Sequence, residues 1–291
     1  VAAGNPLIIC PTIAATDAPT SHSAVLYTDN HEFDDYAYFR QSPSVVLIDL
    51  NVIANAPSRF LVSGMGDALS TYFEARANVN SVSNVNAGLP CGADRKKGTL
   101  LGYGTYTAAA LAELCYRNLI SDGAKAKVAC DCNVVTPAFE KIVETNILLS
   151  GLGFESGGLA AAHAIHDGLT AVHDIHACCM HGEVVAFGTI CQLVLENSPE
   201  EELYEVLNFC DEVGLPVCLH DLMTDPRTGE VIREELTEEE YKIVAAKTCI
   251  PEESIHNMPF PVTEDMVIAA IKAADKLGHD FRYGCDCECC H

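Results

Sequence analysis

At about Ala56 the chain changes character, and that change limits its folds more than any other feature. Before it, "PLIIC" (Pro6–Cys10), "SAVLYT" (Ser23–Thr28) and "SVVLIDL" (Ser44–Leu50) are short apolar runs bounded by Pro, Asp and Asn, as strands are. After it the segments are Ala- and Leu-rich with helical spacing: "APSRFLVSGMGDALSTYFEARAN", "TYTAAALAELCYRNLISDGAKAKVA", "TPAFEKIVETNILLSGL" and "GLAAAHAIHDGLTAV". Further on, Leu203, Val206, Leu207 and Cys210 form a stripe that Gly214 should stop. Thr237 and Thr263 each precede acidic residues and read as N-caps. The expectation is an α/β part over residues 1–56 and an all-helical part over 57–291. Asn78–Tyr106, rich in Gly and Asn, reads as a long loop.

The chain of 291 residues carries a net charge of -24, which opposes binding to nucleic acid or to anionic membranes. No apolar run reaches the length of a membrane span. The N-terminus has no positive region ahead of its apolar stretch, so it does not read as a signal peptide, and it lacks an initiator Met. A cytoplasmic protein is expected. Its fifteen cysteines then read as reduced thiols that mostly fill the core, Cys130 and Cys132 among them.

Two glycine-rich stretches do not read as phosphate sites. "GLGFESG" (Gly151–Gly157) has one residue too many before its third Gly and follows a helical segment, so a turn between helices is expected. "GADRKKGT" lacks the Gly-Lys-Thr order of a P-loop, because Gly98 separates Lys97 from Thr99.

The densest chemistry lies in "AAHAIHDGLTAVHDIHACCMHGE" (Ala161–Glu183), with five of the eleven histidines. His163 and His166 are three apart, as are His173 and His176, and such pairs share a helical face. His181 follows. Spacing alone allows a metal site or a set of surface histidines, and does not choose its members. Asp67 in "SGMGDALSTYFEA" reads equally as a first-turn acid facing the helix dipole or as a carboxylate ligand. The terminal "CDCECCH" (Cys285–His291) lacks the paired Cys-x-x-Cys spacing of structural zinc folds and reads as a thiol-rich tail.

Five motifs together, "PTIAATDAPTS", "LVSGMGDALSTYFEA", "GFESGGLAAAHAIHDG", "HGEVVAFGTICQLVLENSP" and "ESIHNMPFPVT", closely resemble the glycerol dehydrogenases of the iron-type (group III) alcohol dehydrogenase superfamily. The resemblance runs from about Leu7 to about Gly278. It implies a Rossmann-like α/β domain followed by an all-helical domain of the dehydroquinate synthase-like type, with the site in the cleft between them. It implies NAD as cofactor and zinc, or Fe2+ in its place, on Asp67, His163 and His181. These three would also bind substrate and carry the catalysis, His166 would line the site, and His173 and His176 would be bystanders. Thr12, Ala15, Ser21, Ser23 and Tyr27 would contact the dinucleotide, and Asp17 the glycerol. A homo-oligomer without nucleic-acid or membrane partners is implied as well.

The family's Gly-Gly-Gly pyrophosphate turn and its ribose-binding acid fall upstream of Val1. The α/β part is therefore expected to be a partial cofactor domain. The implied activity is zinc-assisted hydride transfer from glycerol to NAD, giving dihydroxyacetone. The rival readings are a relative acting on another small diol or polyol, and a metal-binding remnant without catalysis.

Overall fold

The computed structural model describes residues 6–27, 33–39, 41–81 and 104–284. The three sequence-predicted strands form, though shorter than their apolar runs. β1 (Ile8–Ile9) pairs in parallel with β4 (Val45–Val46), and β2 (Ser23–Tyr27) pairs antiparallel with β3 (Phe33–Tyr38), Ser23 opposite Tyr38. β3 was not anticipated: "FDDYAY" carries acids and lacks the apolar run used to find the others. The hairpin is tied to the helical part through His22, whose backbone N–H donates to Glu155 Oε1 at 2.6 Å.

From residue 50 on, the regular elements among the described residues are helices joined by loops, with one isolated β-bridge, Thr224 to Val231. In chain order the helices are α1 (Leu50–Ala54), α2 (Ser58–Asn80), α3 (Tyr106–Asp131), α4 (Pro137–Glu144), α5 (Ser150–Gly157), α6 (Ala161–Leu169), α7 (His173–Cys178), α8 (His181–Leu195), α9 (Glu200–Val213), α10 (Leu219–Leu222), α11 (Glu238–Thr248) and α12 (Glu264–Tyr283). Their ends follow the expected chemistry. Gly214 ends α9 in the left-handed region at φ 84°. Thr237 and Thr263 cap α11 and α12, accepting from Glu240 N and Met266 N.

Three expectations need correction. α2 continues to Asn80 and α3 begins at Tyr106, so the ends of the Asn78–Tyr106 stretch are helical, while 82–103 lie outside the described residues. "GLGFESG" is not a turn but most of α5, which follows a π-helical segment over Thr145–Leu149. Its glycines serve contact: Gly153 and Gly157 sit against Thr71 and Ala75 of α2, where a side chain has no room. Cys130 is buried as expected, but Cys132 is exposed. The ten described cysteines are all free thiols, five of them buried. The terminal Cys tail lies outside the described residues.

Two helices form the centre. Every residue of α2 from Leu61 to Ala75 except Tyr72 is buried, and so is every residue of α8 from Gly182 to Leu193. A helix enclosed on all sides belongs to the core of a large domain. α2 packs on α3, α5 and α8, and α8 also packs on α6 and α12. None of the described helices is long and apolar enough to cross a membrane.

α2 and α8 approach closely because both are glycine where they touch. A Cβ on Gly182 would run into the Ser63 carbonyl oxygen, and one on Gly66 into the Gly182 carbonyl oxygen. Arg59, near the start of α2, clamps the start of α8 with a two-pronged bond to Glu183, 2.6 and 2.7 Å long, and donates to the Cys178 carbonyl. Glu183 also accepts from Met180 N at 2.7 Å, closing the first turn of α8. Gly182→Ala should therefore lower stability by about 1–3 kcal/mol in urea unfolding, the usual cost of overpacking; an unchanged midpoint would show that the helices can part without strain.

Candidate metal centre

Asp67 sits within the enclosed stretch of α2, His163 in the first turn of α6 and His181 at the first residue of α8. The close α2–α8 contact brings Asp67 to His181, and α6 lies on α8. One ligand-capable atom from each residue lies within 4.8 Å of the others. His163 Nε2 is 3.4 Å and His181 Nε2 3.3 Å from Asp67 Oδ1, so both imidazoles turn the same nitrogen to one carboxylate. Asp67 is 3 % exposed, and its Oδ2 is a buried oxygen with no hydrogen-bond partner. Such an orphaned acceptor is costly, and a cation among these three groups removes the cost. One carboxylate oxygen and two imidazole nitrogens make a three-ligand set with an open position, suited to a divalent ion of the zinc or iron kind.

His163 owes its placement to a residue that sequence reading passed over. Glu74 lies two turns beyond Asp67 on α2 and is fully buried. Its Oε2 is 2.6 Å from His163 Nδ1, while its Oε1 accepts from the backbone of Ala160 at 2.8 Å and of His163 at 3.0 Å. Gln192 of α8 accepts from Ala161 N and Ala162 N at 3.1 and 3.0 Å. α6 has Ala160 where a capping side chain would stand, so two neighbouring helices cap it instead. The seven-residue spacing of Asp67 and Glu74 within one quoted motif was the available signal.

The electrostatics of the cluster follow from opposed charges in a dry place. Burial would raise Asp67, but His181 and His163 outweigh it and hold this carboxyl well below the usual range. Burial opposes a charge on His163, yet Glu74 and Asp67 raise it well above its ordinary value. Burial, reinforced by His181, holds His166 down at about 4. Glu253, in the segment ahead of the turn that packs on α6, is pushed up to about 9 by burial and by Asp167.

Asp17 approaches from the N-terminal loop. Burial and the charge of Asp67 raise it well above the carboxylate range. Ser150 Oγ donates to Asp17 Oδ2 at 2.7 Å and meets Thr71 Oγ1 at 3.0 Å. The π-helical segment holds this loop down: Asn146 Nδ2 donates to the carbonyls of Ala14 and Leu61, and Thr20 Oγ1 donates to that of Ile147. Along the loop and strand named for the dinucleotide, Thr12 is exposed, Ala15 half-buried and Ser21 buried, and Ser23 and Tyr27 begin and end β2. His166 is drawn into the cluster, with Nε2 3.0 Å from His181 Nδ1. His173 is exposed at the start of α7, and His176 lines a cavity that His181 also lines.

A search against models of protein families gives no match. Comparison with individual proteins does. The chain is 48% identical over 277 residues to a glycerol dehydrogenase of Citrobacter freundii, covering 95% of this chain and 69% of that protein. Among solved structures, a probable glycerol dehydrogenase from Sinorhizobium meliloti superimposes with a TM-score of 0.83 at 39% identity, over 96% of this chain and 72% of that one. An iron-containing alcohol dehydrogenase from Thermotoga maritima shares the fold at a TM-score of 0.64 and 16% identity, over 93% of this chain and 64% of that one. Identity at this level over nearly the whole length means that the chain belongs to the glycerol dehydrogenase family.

Proposed function

We propose that this chain acts as an NAD-linked glycerol dehydrogenase, converting glycerol and NAD to dihydroxyacetone and NADH at a zinc centre held by Asp67, His163 and His181. The convergence of three donor atoms beside the orphaned Asp67 Oδ2 carries this reading. Bound zinc would polarise the reacting hydroxyl as a Lewis acid, and NAD would accept the hydride.

The chain's own residues prepare that chemistry. Glu74 keeps the proton of His163 on Nδ1, which leaves the Nε2 lone pair turned to Asp67. Asp67 supplies negative charge that holds a cation in a buried place. Asp17, its Oδ2 engaged by Ser150, has Oδ1 for a hydroxyl of glycerol. Thr12, Ala15, Ser21, Ser23 and Tyr27 would face the dinucleotide. Residues 1–56 would belong to the cofactor half of the enzyme and 57–291 to the metal half.

Glycerol-dependent NADH formation by the purified chain tests this directly. Asp67→Ala and His181→Ala are expected to weaken zinc binding by more than about 100-fold, beyond the loss from outer partners alone. They should lower kcat by about 1000-fold, the scale of several kcal/mol. Full zinc occupancy in both variants, measured by elemental analysis, would remove these residues from the ligand set.

Metal binding should also depend on pH with a definite sign. The cation needs neutral His163, whose proton Glu74 and Asp67 hold more tightly than usual. Zinc affinity should thus weaken by up to about tenfold per unit as pH falls below the raised His163 value. In the metal-free protein the proton on His163 stabilises the fold fully below the ordinary histidine value, and that gain is lost as pH rises through the raised one. The rise in Tm on adding zinc should therefore grow with pH. A constant rise across the neutral range would show that His163 binds no proton that zinc displaces.

A further inference from the structure

Both ligand imidazoles need a partner on Nδ1 if Nε2 is to face the metal, and the two partners differ in kind. His163 has the Glu74 carboxylate. His181 has another imidazole: its Nδ1 is 3.0 Å from His166 Nε2, and His166 Nδ1 is 2.8 Å from Asp167 Oδ1. The rings of His166 and His181 meet edge to face, with centroids 4.3 Å apart and planes at 73°.

Only one arrangement of protons satisfies this chain. His181 ligates through Nε2, so its proton sits on Nδ1 and is donated to His166 Nε2. His166 is then an acceptor at Nε2, carries its own proton on Nδ1 and donates it to the Asp167 carboxylate. Packing does little to fix the ring of His181. Its side chain is 35% exposed against 14% for His163. A cavity of about 110 Å³ also borders it, lined by Ile175, Cys179, Met180 and Val184 as well as by His166.

We propose that His166 and Asp167 position the metal ligand His181, fixing its tautomer and ring angle through the chain Asp167–His166–His181, as Glu74 does for His163. Neither residue belongs to the ligand-capable group of Asp67, His163 and His181. The inference rests on the metal reading above. It makes the two imidazoles unequal: one is oriented by a buried anion, the other by a neutral ring with an acid behind it. Removing the His166 acceptor frees His181 to rotate toward the cavity.

The test uses zinc competition with a chromophoric chelator and the visible spectrum of the cobalt-substituted full chain. The proteins are wild type, Asp67→Ala, His166→Phe, His166→Gln and Asp167→Asn. His166→Phe keeps the ring's bulk without an acceptor and should lose zinc affinity by about 10- to 100-fold, with an altered cobalt spectrum. His166→Gln places an oxygen near the lost Nε2 and should recover most of that affinity and the wild-type spectrum. Asp167→Asn should fall between wild type and His166→Phe. Metal-free Tm values within a few degrees of wild type would separate positioning from loss of fold. Wild-type affinity and spectrum in His166→Phe, or an equal loss in His166→Gln, would overturn the inference while leaving the metal centre standing. Zinc binding that Asp67→Ala does not weaken would overturn the metal reading, and this inference with it.

Discussion

The carboxylate of Glu74 has no access to water, yet it takes three hydrogen bonds, two from the start of α6 and one from His163 Nδ1. A buried charge persists only when its lone pairs are satisfied, so this group constrains everything around it. It fixes the height of α6 along α2, because the capped N–H groups must reach it. It also turns His163, because the same residue offers both a backbone and a ring N–H. One interaction thus links a helix end, a helix–helix register and the direction of a ligand-capable nitrogen.

The second constraint is the distance between α2 and α8. Asp67 and His181 could not meet across helices separated by ordinary side chains. Gly66 and Gly182 let the backbones touch, and Arg59 with Glu183 holds the helix starts together. The motifs "SGMGD" and "HGE" therefore combine a ligand-capable residue with the glycine that delivers it. The loop bearing Asp17 is seated by another departure from regular helix, the π-helical turn whose Asn146 reaches back to Ala14.

Some of this could be read from the sequence. The strand signals found three strands, the Thr-plus-acid pattern found the caps of α11 and α12, and Gly214 ended α9 where expected. Periodicity could place His163 and His166 on one face, but selecting Asp67, His163 and His181 required the family resemblance, since which helices touch is a tertiary matter. The "GLGFESG" misreading has a clear cause. Glycine lowers helix propensity, yet here it gives α5 room to lie on α2, and packing overrode propensity. The role of His166 was hidden because its partner lies fifteen residues away, across the break between α6 and α8.

The borrowed caps of α6 also bear on the order in which the molecule can form. A nine-residue helix whose first-turn N–H groups are taken up by Glu74 and Gln192 of neighbouring helices has little stability on its own. It becomes favourable only once α2 and α8 are already side by side. The segment carrying His163 should then be a late-joining, early-leaving unit, opening below the free energy of global unfolding. In that picture an ion bound by the proposed ligands would not be a template around which the helices gather. It would arrive at a cluster the protein has already assembled, and by holding His163 to Asp67 it would slow the fraying of that one segment more than of the core beneath it.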